Sequence, residues 1–311
     1  MLITDAQQHS INLFFDFLKG QNKSPLTIKN YHADLISFFS WLGPSVRFPE
    51  INQQQIRNFI ALSLSGGYLP KPKDSMSDLN ILSPAHEPSS CNRRLATLRR
   101  FFDFLKYSEI IKIDPSKPVP FLPVPRRLPE FLSQEQTCRL LYYAKRESLF
   151  DYVIIHTLYV AALRSNELCQ LERSAVDFSN NRILVHGKRQ RDRYIPMLPH
   201  DLKPLSAFSK AHHHRFTFDR FLCTPQFKPL NTRYVHLRVT TIARLAGLDC
   251  HPHILRHSRA THLLQSGLEL YYIKTILGHS TIQTTEIYAH VDDPHLRDAF
   301  TRASHSLNVI S

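Results

Sequence analysis

A dense run of prolines in the middle of the chain divides it into two parts. Six of them fall close together: Pro115, Pro118, Pro120, Pro123, Pro125 and Pro129. Because proline fixes φ and removes a backbone N–H donor, this segment cannot continue a helix and favours an extended, semi-rigid chain. A length of 311 residues is enough for two domains. We therefore predict a domain at residues 1–114, a linker at 115–130 and a second domain at 131–311.

Before the prolines, apolar residues recur at the spacing of a helix face, which predicts a bundle of four helices. The first two end at Gly20 and Gly43, and the second starts at Ser24-Pro25, since proline at the first helical position forfeits only a hydrogen bond that has no partner. Residues 66–90, rich in glycine, proline and serine, predict a long irregular loop before the fourth helix. The first domain is therefore predicted to be all-α.

The fourth helix carries several arginines on the positions that its apolar stripe leaves free. They are Arg93, Arg94, Arg99 and Arg100, and the linker adds Arg126 and Arg127. Two interpretations of this group stay open. The arginines belong to a solvated helix face, or they form a strip that grips the phosphates of a nucleic acid.

The second part mixes strand and helix patterns. Ser133-Gln134-Glu135-Gln136 fits a capping box at a helix start, and a buried helix is predicted at residues 151–163. Residues 182–186 and 193–197 predict a hairpin whose turn lies at or near Lys188. Further helices are predicted at residues 231–246, 253–266 and 269–277. The fold class is therefore mainly α with two domains, an all-α bundle followed by a mixed α/β domain with a small antiparallel sheet.

Composition narrows the class of protein. The net charge of +13 at pH 7 makes a polyanion the natural partner, although a merely basic protein would have the same balance. The chain has no apolar run near the ~20 residues of a membrane helix and no signal-peptide pattern, so we expect a cytoplasmic protein. Five scattered cysteines without a Cys-x-x-Cys pair argue for a reducing compartment and against a zinc site. No Gly-rich nucleotide loop is present, and we expect no cofactor.

Six polar residues in the second part form a set with a common chemistry: Arg164, Lys188, His253, Arg256, His279 and Tyr288. Transfer at a phosphodiester spreads negative charge over the non-bridging oxygens, and arginine meets two such oxygens with its planar fork. Histidine and lysine move protons, and tyrosine can act as a nucleophile. Each residue alone has an ordinary explanation as a surface charge or a satisfied polar group. The joint pattern is far less expected by chance.

The short motifs around these residues resemble the tyrosine recombinases, or phage-integrase-type site-specific recombinases. The matching stretches are residues 162–168 around the first arginine, 253–264 around His253 and Arg256, 277–280 around His279, 284–291 around Tyr288, and Gly187-Lys188. The resemblance extends to the helical first part and to Arg126-Arg127-Leu128-Pro129, which look like the XerC/XerD branch. It implies that the bundle is a core-binding domain that clamps DNA and that the second domain is catalytic.

The resemblance also implies a role for each residue of the set. Tyr288 would attack the scissile phosphate and form a 3′-phosphotyrosyl bond, which frees a 5′-hydroxyl. Arg164 and Arg256 would clamp the non-bridging oxygens, and Glu167 would pair with Arg164 or a neighbour. Lys188 would protonate the leaving oxygen, while His253 would assist proton transfer at the tyrosine. His279 would hydrogen-bond the phosphate, and neither metal nor ATP would be needed.

Partners follow from the same resemblance. We expect a double-stranded DNA recombination site, a homo- or hetero-tetramer on synapsed DNA, a nucleoid-associated location, and a second recombinase or accessory protein as an open choice. Residues 294–304 predict a short C-terminal helix that docks on a neighbouring subunit or folds back on its own domain. The target site stays open, and so does the choice between chromosome dimer resolution, integration and inversion as the biological role.

Two departures from the family pattern and three rival functions remain. Residues 66–90 are longer than the usual connection, and Arg259 stands where the family more often has an apolar residue, so we expect altered packing or DNA contact there. The rivals are a type IB topoisomerase-like enzyme, a DNA-binding protein without catalysis, and a metal-dependent nuclease using the run His212-His213-His214 or His251 with His253. The first-half resemblance disfavours the topoisomerase, the complete set disfavours the second rival, and missing carboxylate partners disfavour the nuclease.

Overall fold

The computed structural model describes most of the chain in two compact units. The described residues are 4–44, 46–68, 82–83, 85–124, 130–187, 192–212, 219–278 and 294–305, with the backbone alone at 67–68, 82–83, 294–297 and 305. One unit contains the described residues through Val124, and the other contains those from Glu130 onward.

The first unit is a helical bundle, as predicted. Its helices are α1 (Asp5–Gly20), α2 (Pro25–Leu42), α3 (Gln53–Ser65) and α4 (Pro88–Tyr107), with a short 3-10 helix at Phe48–Glu50. Ser24 caps α2 by accepting a hydrogen bond from the backbone N–H of Thr27 at 3.2 Å, directly before the proline that starts the helix. The local signals read from the sequence therefore set the helix starts.

Phenylalanine dominates the core of this unit. Phe14, Phe39 and Phe101 come from three different helices and are fully buried. The ring of Phe101 meets that of Phe14 edge-on at 5.3 Å and that of Phe39 at 5.6 Å. Edge-to-face contacts of this kind add to the burial free energy and fix how the helices pack.

The structure corrects the predicted loop at residues 66–90 at both of its ends. Two short strands, β1 (Gly67–Tyr68) and β2 (Leu82–Ser83), pair antiparallel, and α4 already begins at Pro88. Residues 69–81, the middle of the predicted loop, lie outside the described residues.

The start of the proline-rich segment is attached to the first unit. Residues 115–118 form turns where we predicted extended chain, and Val119 is buried in the bundle's core. The amide of Asn92 on α4 both donates to the carbonyl of Leu122 at 2.9 Å and accepts its N–H at 2.7 Å. A bundle side chain thus satisfies both backbone groups of Leu122, in a segment whose prolines have no N–H to donate.

The second unit packs helices around a small antiparallel sheet. Its elements are α5 (Gln134–Glu147), α6 (Leu149–Val160), α7 (Ser165–Gln170), β3 (Val176–Asp177), β4 (Arg182–Val185), β5 (Arg193–Pro196), α8 (Pro199–His212), α9 (Thr232–Leu245), α10 (Pro252–Gln265), α11 (Leu270–Leu277) and α12 (Pro294–His305). The sheet order is β3-β4-β5, and the β4–β5 register pairs Ile183 with Ile195. The predicted hairpin and mainly α fold are confirmed, while α7, β3 and α8 were not predicted individually.

Helix α6 forms the centre of this unit. It is buried on nearly all sides, and α5, α8, α9 and α10 pack around it. A helix that is apolar all round is expected inside a large core and not at a surface. The loop after α6 therefore starts from a rigid base, and it carries Arg164.

The C-terminal helix α12 folds back on its own unit. Phe300 and Ala303 are buried in the unit's core, and Ser304 accepts a hydrogen bond from Arg259 at 3.0 Å. Arg259 itself is buried between the rings of Tyr159 and Phe300. Of the two positions expected for this helix, the single chain has the one on its own domain. Arg259 takes part in this packing, and its effect relative to the family stays a prediction.

Across the part of the chain that the structure describes, no helix combines the length and the apolar character needed to cross a lipid bilayer.

Candidate active site

Arg164 is held at the junction between α6 and α7. The chain leaves α6 through Ala162, which has a left-handed φ of +48°. Arg164 is then the residue that caps α7, and its backbone N–H donates to Oε2 of Glu167 at 2.9 Å, as in half of a capping box. Its guanidinium Nη1 donates to Oε1 of the same carboxylate at 2.8 Å, while 40% of the side chain stays exposed. Glu167 thus orients Arg164 and leaves it accessible.

Arg256 reaches the same carboxylate from α10. Its side chain is buried, and Nη1 lies 2.7 Å from the carbonyl oxygen of Ala162 and 3.5 Å from Oε2 of Glu167. Nη2 donates to the carbonyl of Leu277 at the end of α11. Burial and the positive charge of Arg164 lower the pKa of Arg256 to about 10. The group remains charged at neutral pH, in surroundings that are short of negative charge.

A third arginine, Arg193 on β5, completes the arrangement around Glu167. Nη1 and Nη2 of Arg193 donate to the two carboxylate oxygens at 3.1 and 3.0 Å, in a two-pronged ion pair. Burial opposes ionisation of Glu167, but the bonds to Arg193 and Arg164 and the charge of Arg256 outweigh it, so its pKa lies below the ordinary value. Glu167 is therefore a carboxylate at neutral pH, paired with three arginines.

Two of these arginines also bind the end of α11. Nε of Arg193 donates to the carbonyl of Ile276 at 2.7 Å, next to the Leu277 carbonyl that Arg256 binds. The following Gly278 has φ of +60°, and a Cβ there would lie 3.0 Å from Nη1 of Arg193. Glycine is favoured at this position, because the left-handed conformation costs it nothing and because a Cβ would crowd Arg193. The chain enters the predicted His279 motif from this fixed point.

His253 stands one helical turn before Arg256. It lies in the first turn of α10, directly after Pro252, and its side chain is exposed. Its ring lies 6.1 Å from that of His251. Desolvation and the charges of His251, His257, Arg256 and Arg164 lower the pKa of His253. It is therefore neutral at pH 7 and able to accept a proton.

The hairpin brings together both ends of the segment that carries Lys188. Asp192 accepts a hydrogen bond from the N–H of Gly187 at 3.2 Å, and its other oxygen lies 2.8 Å from Nδ1 of His186. Lys188 itself lies outside the described residues, as do His279 and Tyr288. Of the six predicted residues, the structure thus places Arg164, His253 and Arg256, and groups the two arginines at one carboxylate.

Arg193 was not among the predicted site residues, although the sequence contains a signal for it. Side chains of a strand alternate between faces, so Arg193 shares the inward face of β5 with Ile195. A charged residue at an inward position requires a buried partner of opposite charge. The partner, Glu167, is 26 residues away in the sequence, and no local pattern predicts that contact.

The arginines of α4 make contacts within the first unit. Arg93 is paired with the buried Asp34, and Arg94 donates to the hydroxyl of Ser63 at 2.8 Å. Arg99 lies over the ring of Phe121 at 4.2 Å, and Arg100 donates to Gln21 at 2.7 Å. They therefore contribute to packing in the bundle, and contact with nucleic acid stays a prediction. Arg126 and Arg127 lie outside the described residues.

Within the described ranges, no group of three or more His, Cys, Asp or Glu side chains is arranged to hold a metal ion. His213 and His214 of the histidine run lie outside them, and Nδ1 of His212 lies 3.0 Å from the carbonyl oxygen of Phe208.

Two family models match the chain. The model of the phage integrase family matches residues 130–295, and that of the phage integrase N-terminal SAM-like domain matches residues 11–109. The chain is 31% identical to tyrosine recombinase XerA of Thermococcus kodakarensis, over 94% of each protein. It is 30% identical to tyrosine recombinase XerC of Thermodesulfovibrio yellowstonii, over 98% of this chain and 99% of the relative.

Solved structures share the fold at lower identity. A lambda integrase dimer bound to a COC′ core site is similar with a TM-score of 0.67 and 14% identity, over 94% of this chain and 77% of that one. The XerH site-specific recombinase in its post-cleavage complex with a palindromic difH substrate is similar with a TM-score of 0.64 and 20% identity, over 90% and 81% of the two chains.

Proposed function

Since the chain belongs to the phage integrase family, we propose that it is a site-specific tyrosine recombinase that breaks and rejoins DNA strands. One observation carries this proposal. Arg164, Arg193 and Arg256 converge on the single carboxylate of Glu167, so three positive groups face one negative group. A phosphate would supply the missing negative charge, and arginine forks are suited to its oxygens.

The reaction we propose uses side chains of the protein alone. The Tyr288 oxygen forms a bond to the scissile phosphorus while the bond from phosphorus to the 5′-oxygen breaks, which leaves a 3′-phosphotyrosyl intermediate. Lys188 gives a proton to the leaving 5′-oxygen, and His253 takes the tyrosine proton. His279 donates a hydrogen bond to the phosphate. Attack by the 5′-hydroxyl of another strand then reverses the step, so the bond energy is conserved without ATP.

In this proposal Arg164 and Arg256 both bind the phosphate, and we call these two residues the clamp arginines. Arg164 is partly exposed and meets the phosphate directly, while Arg256 is fixed by two backbone carbonyls and has little freedom to move. Fixed donors aimed at the transition-state charge need no reorganisation when the reaction occurs. The neutral state of His253, maintained by desolvation and the surrounding positive charge that lower its pKa, suits a proton acceptor.

The assembly we propose is a tetramer of XerC/XerD type on two synapsed DNA sites. Solved structures with this fold include a lambda integrase dimer bound to a core site and a lambda integrase tetramer bound to a Holliday junction. Binding through many phosphate contacts would make DNA affinity fall steeply with salt. On α4, 47% of the Arg93 side chain and 37% of the Arg100 side chain are exposed, against 11% for Arg94. Arg93 and Arg100 are therefore better candidates than Arg94 for binding phosphate. The same proposal includes a nucleoid location, a second recombinase or an accessory protein as a partner, and docking of α12 on a neighbouring subunit in the assembly.

A suicide DNA substrate tests the reaction. A nicked candidate site is incubated in EDTA with the wild type, with Tyr288→Phe and with Tyr271→Phe, and the products are separated on a denaturing gel. Tyr271 is an exposed tyrosine of the same unit and serves as the matched control. We expect a covalent protein–DNA adduct with the wild type and Tyr271→Phe, and none with Tyr288→Phe.

The other outcomes discriminate the rivals. DNA cleavage that needs added divalent metal and leaves no protein–DNA adduct would support a metal-dependent nuclease. Salt-sensitive DNA binding without adduct, on candidate sites and with partner recombinases added, would support a DNA-binding protein that lacks catalysis. Relaxation of supercoiled DNA without exchange between two sites would support a topoisomerase-like activity.

A further inference from the structure

Arg193 uses every part of its guanidinium to join three segments of the second unit. The two terminal nitrogens bind both oxygens of Glu167 on α7, and Nε binds the carbonyl of Ile276 at the end of α11. Arg193 itself belongs to β5 and is 8% exposed. Among the described residues, these bonds go to the carboxylate that Arg164 and Arg256 share and to the carbonyl next to the one that Arg256 binds, and not to Arg164 or Arg256 themselves.

The fork of Arg193 fixes which way the Glu167 carboxylate faces. Oε1 accepts from Arg193 and from Nη1 of Arg164, and Oε2 accepts from Arg193 and lies 3.5 Å from Nη1 of Arg256. A rotation of the carboxylate would therefore move the acceptors of both clamp arginines together. Two parallel hydrogen bonds from a planar fork resist such a rotation, and a single ammonium group does not.

The other end of Arg193 acts on the same clamp. The carbonyls of Ile276 and Leu277 are adjacent at the C-terminus of α11, where positive groups are favoured by the helix dipole. Arg193 binds the first and Arg256 binds the second. Gly278 leaves the space that the Arg193 side chain occupies. The C-terminus of α11 and the carboxylate of Glu167 therefore both fix the position of Arg193 relative to Arg256.

We propose that Arg193 is a positioning residue for the reaction: through Glu167 and the end of α11, it fixes the guanidinium groups of Arg164 and Arg256 against the scissile phosphate. This inference rests on the proposed recombinase function. Arg193 does not contact the phosphate and is not a catalytic residue. A displaced clamp loses transition-state stabilisation even though every reacting group is present.

The test measures the rate of covalent adduct formation in a single turnover, with Arg193→Lys as the main variant. Lysine keeps the buried charge but lacks the fork, so the fold is retained while the orientation of Glu167 is relaxed. We expect adduct formation to be about 100-fold slower and DNA affinity to change less than about threefold. Arg193→Gln should form the adduct more slowly still. Its circular dichroism spectrum and thermal midpoint are measured to show that the variant is folded.

Arg238→Lys is the matched control, because Arg238 makes a comparable two-pronged pair with Asp151 in the same unit, with both distances 2.7 Å. It should form the adduct at the wild-type rate. Each protein is also tested on DNA whose scissile phosphate is a methylphosphonate. This group lacks the negative charge that the clamp binds, so the deficit of Arg193→Lys should shrink at least about tenfold.

Three results would contradict the inference. Equal adduct rates for the wild type and Arg193→Lys would overturn it and leave the recombinase function intact. A deficit of the same size on both substrates would indicate a structural role without an effect on the clamp. No adduct with the wild type on either substrate would contradict the proposed function itself, and the inference would fall with it.

Discussion

The carbonyl oxygen of Ala162 accepts a hydrogen bond of 2.7 Å from Nη1 of Arg256, and Ala162 has the left-handed backbone conformation that places this carbonyl there. The residue follows α6 and is fully buried. A left-handed conformation costs an L-residue with a Cβ about 1–2 kcal/mol. The chain therefore maintains a strained residue at the point where the most buried arginine of the site is anchored.

Substitutions at Ala162 should separate the effect of backbone strain on stability from the effect of the Arg256 anchor on the reaction. We expect the free energy of unfolding of Ala162→Gly in urea to lie within about 1 kcal/mol of the wild-type value, because relief of the left-handed strain offsets the loss of the buried methyl group. Ala162→Val should lose about 2–3 kcal/mol and form adduct more slowly, since a β-branched residue disfavours this conformation and the core has no space for it. Equal stabilities of the valine and glycine variants would contradict this account.

Glu167→Gln should weaken both the fold and the site. It leaves Arg193 and Arg256 buried without their carboxylate, and breaking a buried pair costs about 3–5 kcal/mol. Adduct formation should fall with it, because Arg164 loses its orienting acceptor. Urea unfolding and single-turnover cleavage measure the two effects.

The effect of Glu167 also depends on pH, with a defined sign. Its folded pKa lies below the ordinary value, so its contribution to stability is present above the unfolded pKa and is lost as pH falls through the folded one. The stability difference between the wild type and Glu167→Gln should therefore shrink as pH falls below about 4.3, the ordinary pKa of glutamate. A difference that stays constant down to pH 3 would contradict the assignment.

The parts of this site differ in how far the sequence predicts them. Arg164, His253 and Arg256 lie in short motifs next to helix starts, and local signals such as Pro252 place them on their elements. The shared carboxylate was predicted only as far as the pairing of Glu167 with Arg164, three residues away. The contact of Arg193 with Ile276 spans 83 residues and exists only after the sheet has packed on α11. Left-handed Ala162 has no local signal, because alanine does not favour that conformation.

His156 should make the stability of the second unit depend on pH. Its side chain is fully buried, and desolvation and the charges of Arg259 and His200 lower its pKa to about 3. Asp201 faces it at 4.0 Å. Unfolding allows His156 to bind a proton at about pH 6.5, so the unfolded state binds more protons between pH 3 and 6.5 and stability rises with pH across that range.

The size of this effect can be measured against His156→Phe, which keeps a planar aromatic ring, slightly larger than imidazole, and removes the titratable group. Between pH 7 and 5.5 the wild type should lose about 1 kcal/mol more than the variant, as measured by urea unfolding at each pH. His9→Gln, which changes an exposed histidine of the first unit, should leave the pH dependence as it is in the wild type. Parallel curves for the wild type and His156→Phe would contradict the prediction.

The neutral form of His253 should set the acid limit of adduct formation. Its pKa is lowered by desolvation and by the neighbouring charges, so the proton-accepting form persists at pH 7 and is lost only below about pH 6.5. We expect the wild-type rate to fall in that acid range. His253→Gln should be about 100-fold or more slower at pH 7 and should lack the acid limb. His257→Gln, on the exposed side of the same helix, should keep the limb, and its loss there would assign the titration to another group.

Arg259 should determine how firmly α12 is bound to its own unit. Its guanidinium lies 5.4 Å from the ring centres of both Tyr159 and Phe300 and donates to Ser304 at 3.0 Å. Methionine fills the same volume but removes the cation–π contact and the hydrogen bond, each worth about 1 kcal/mol. In Arg259→Met, amide hydrogen exchange at residues 298–304 should become about tenfold faster, with no change in α9. Arg302→Met, an exposed arginine of α12, is the control, and unchanged exchange in Arg259→Met would show that the apolar contacts of Phe300 and Ala303 hold the helix without it.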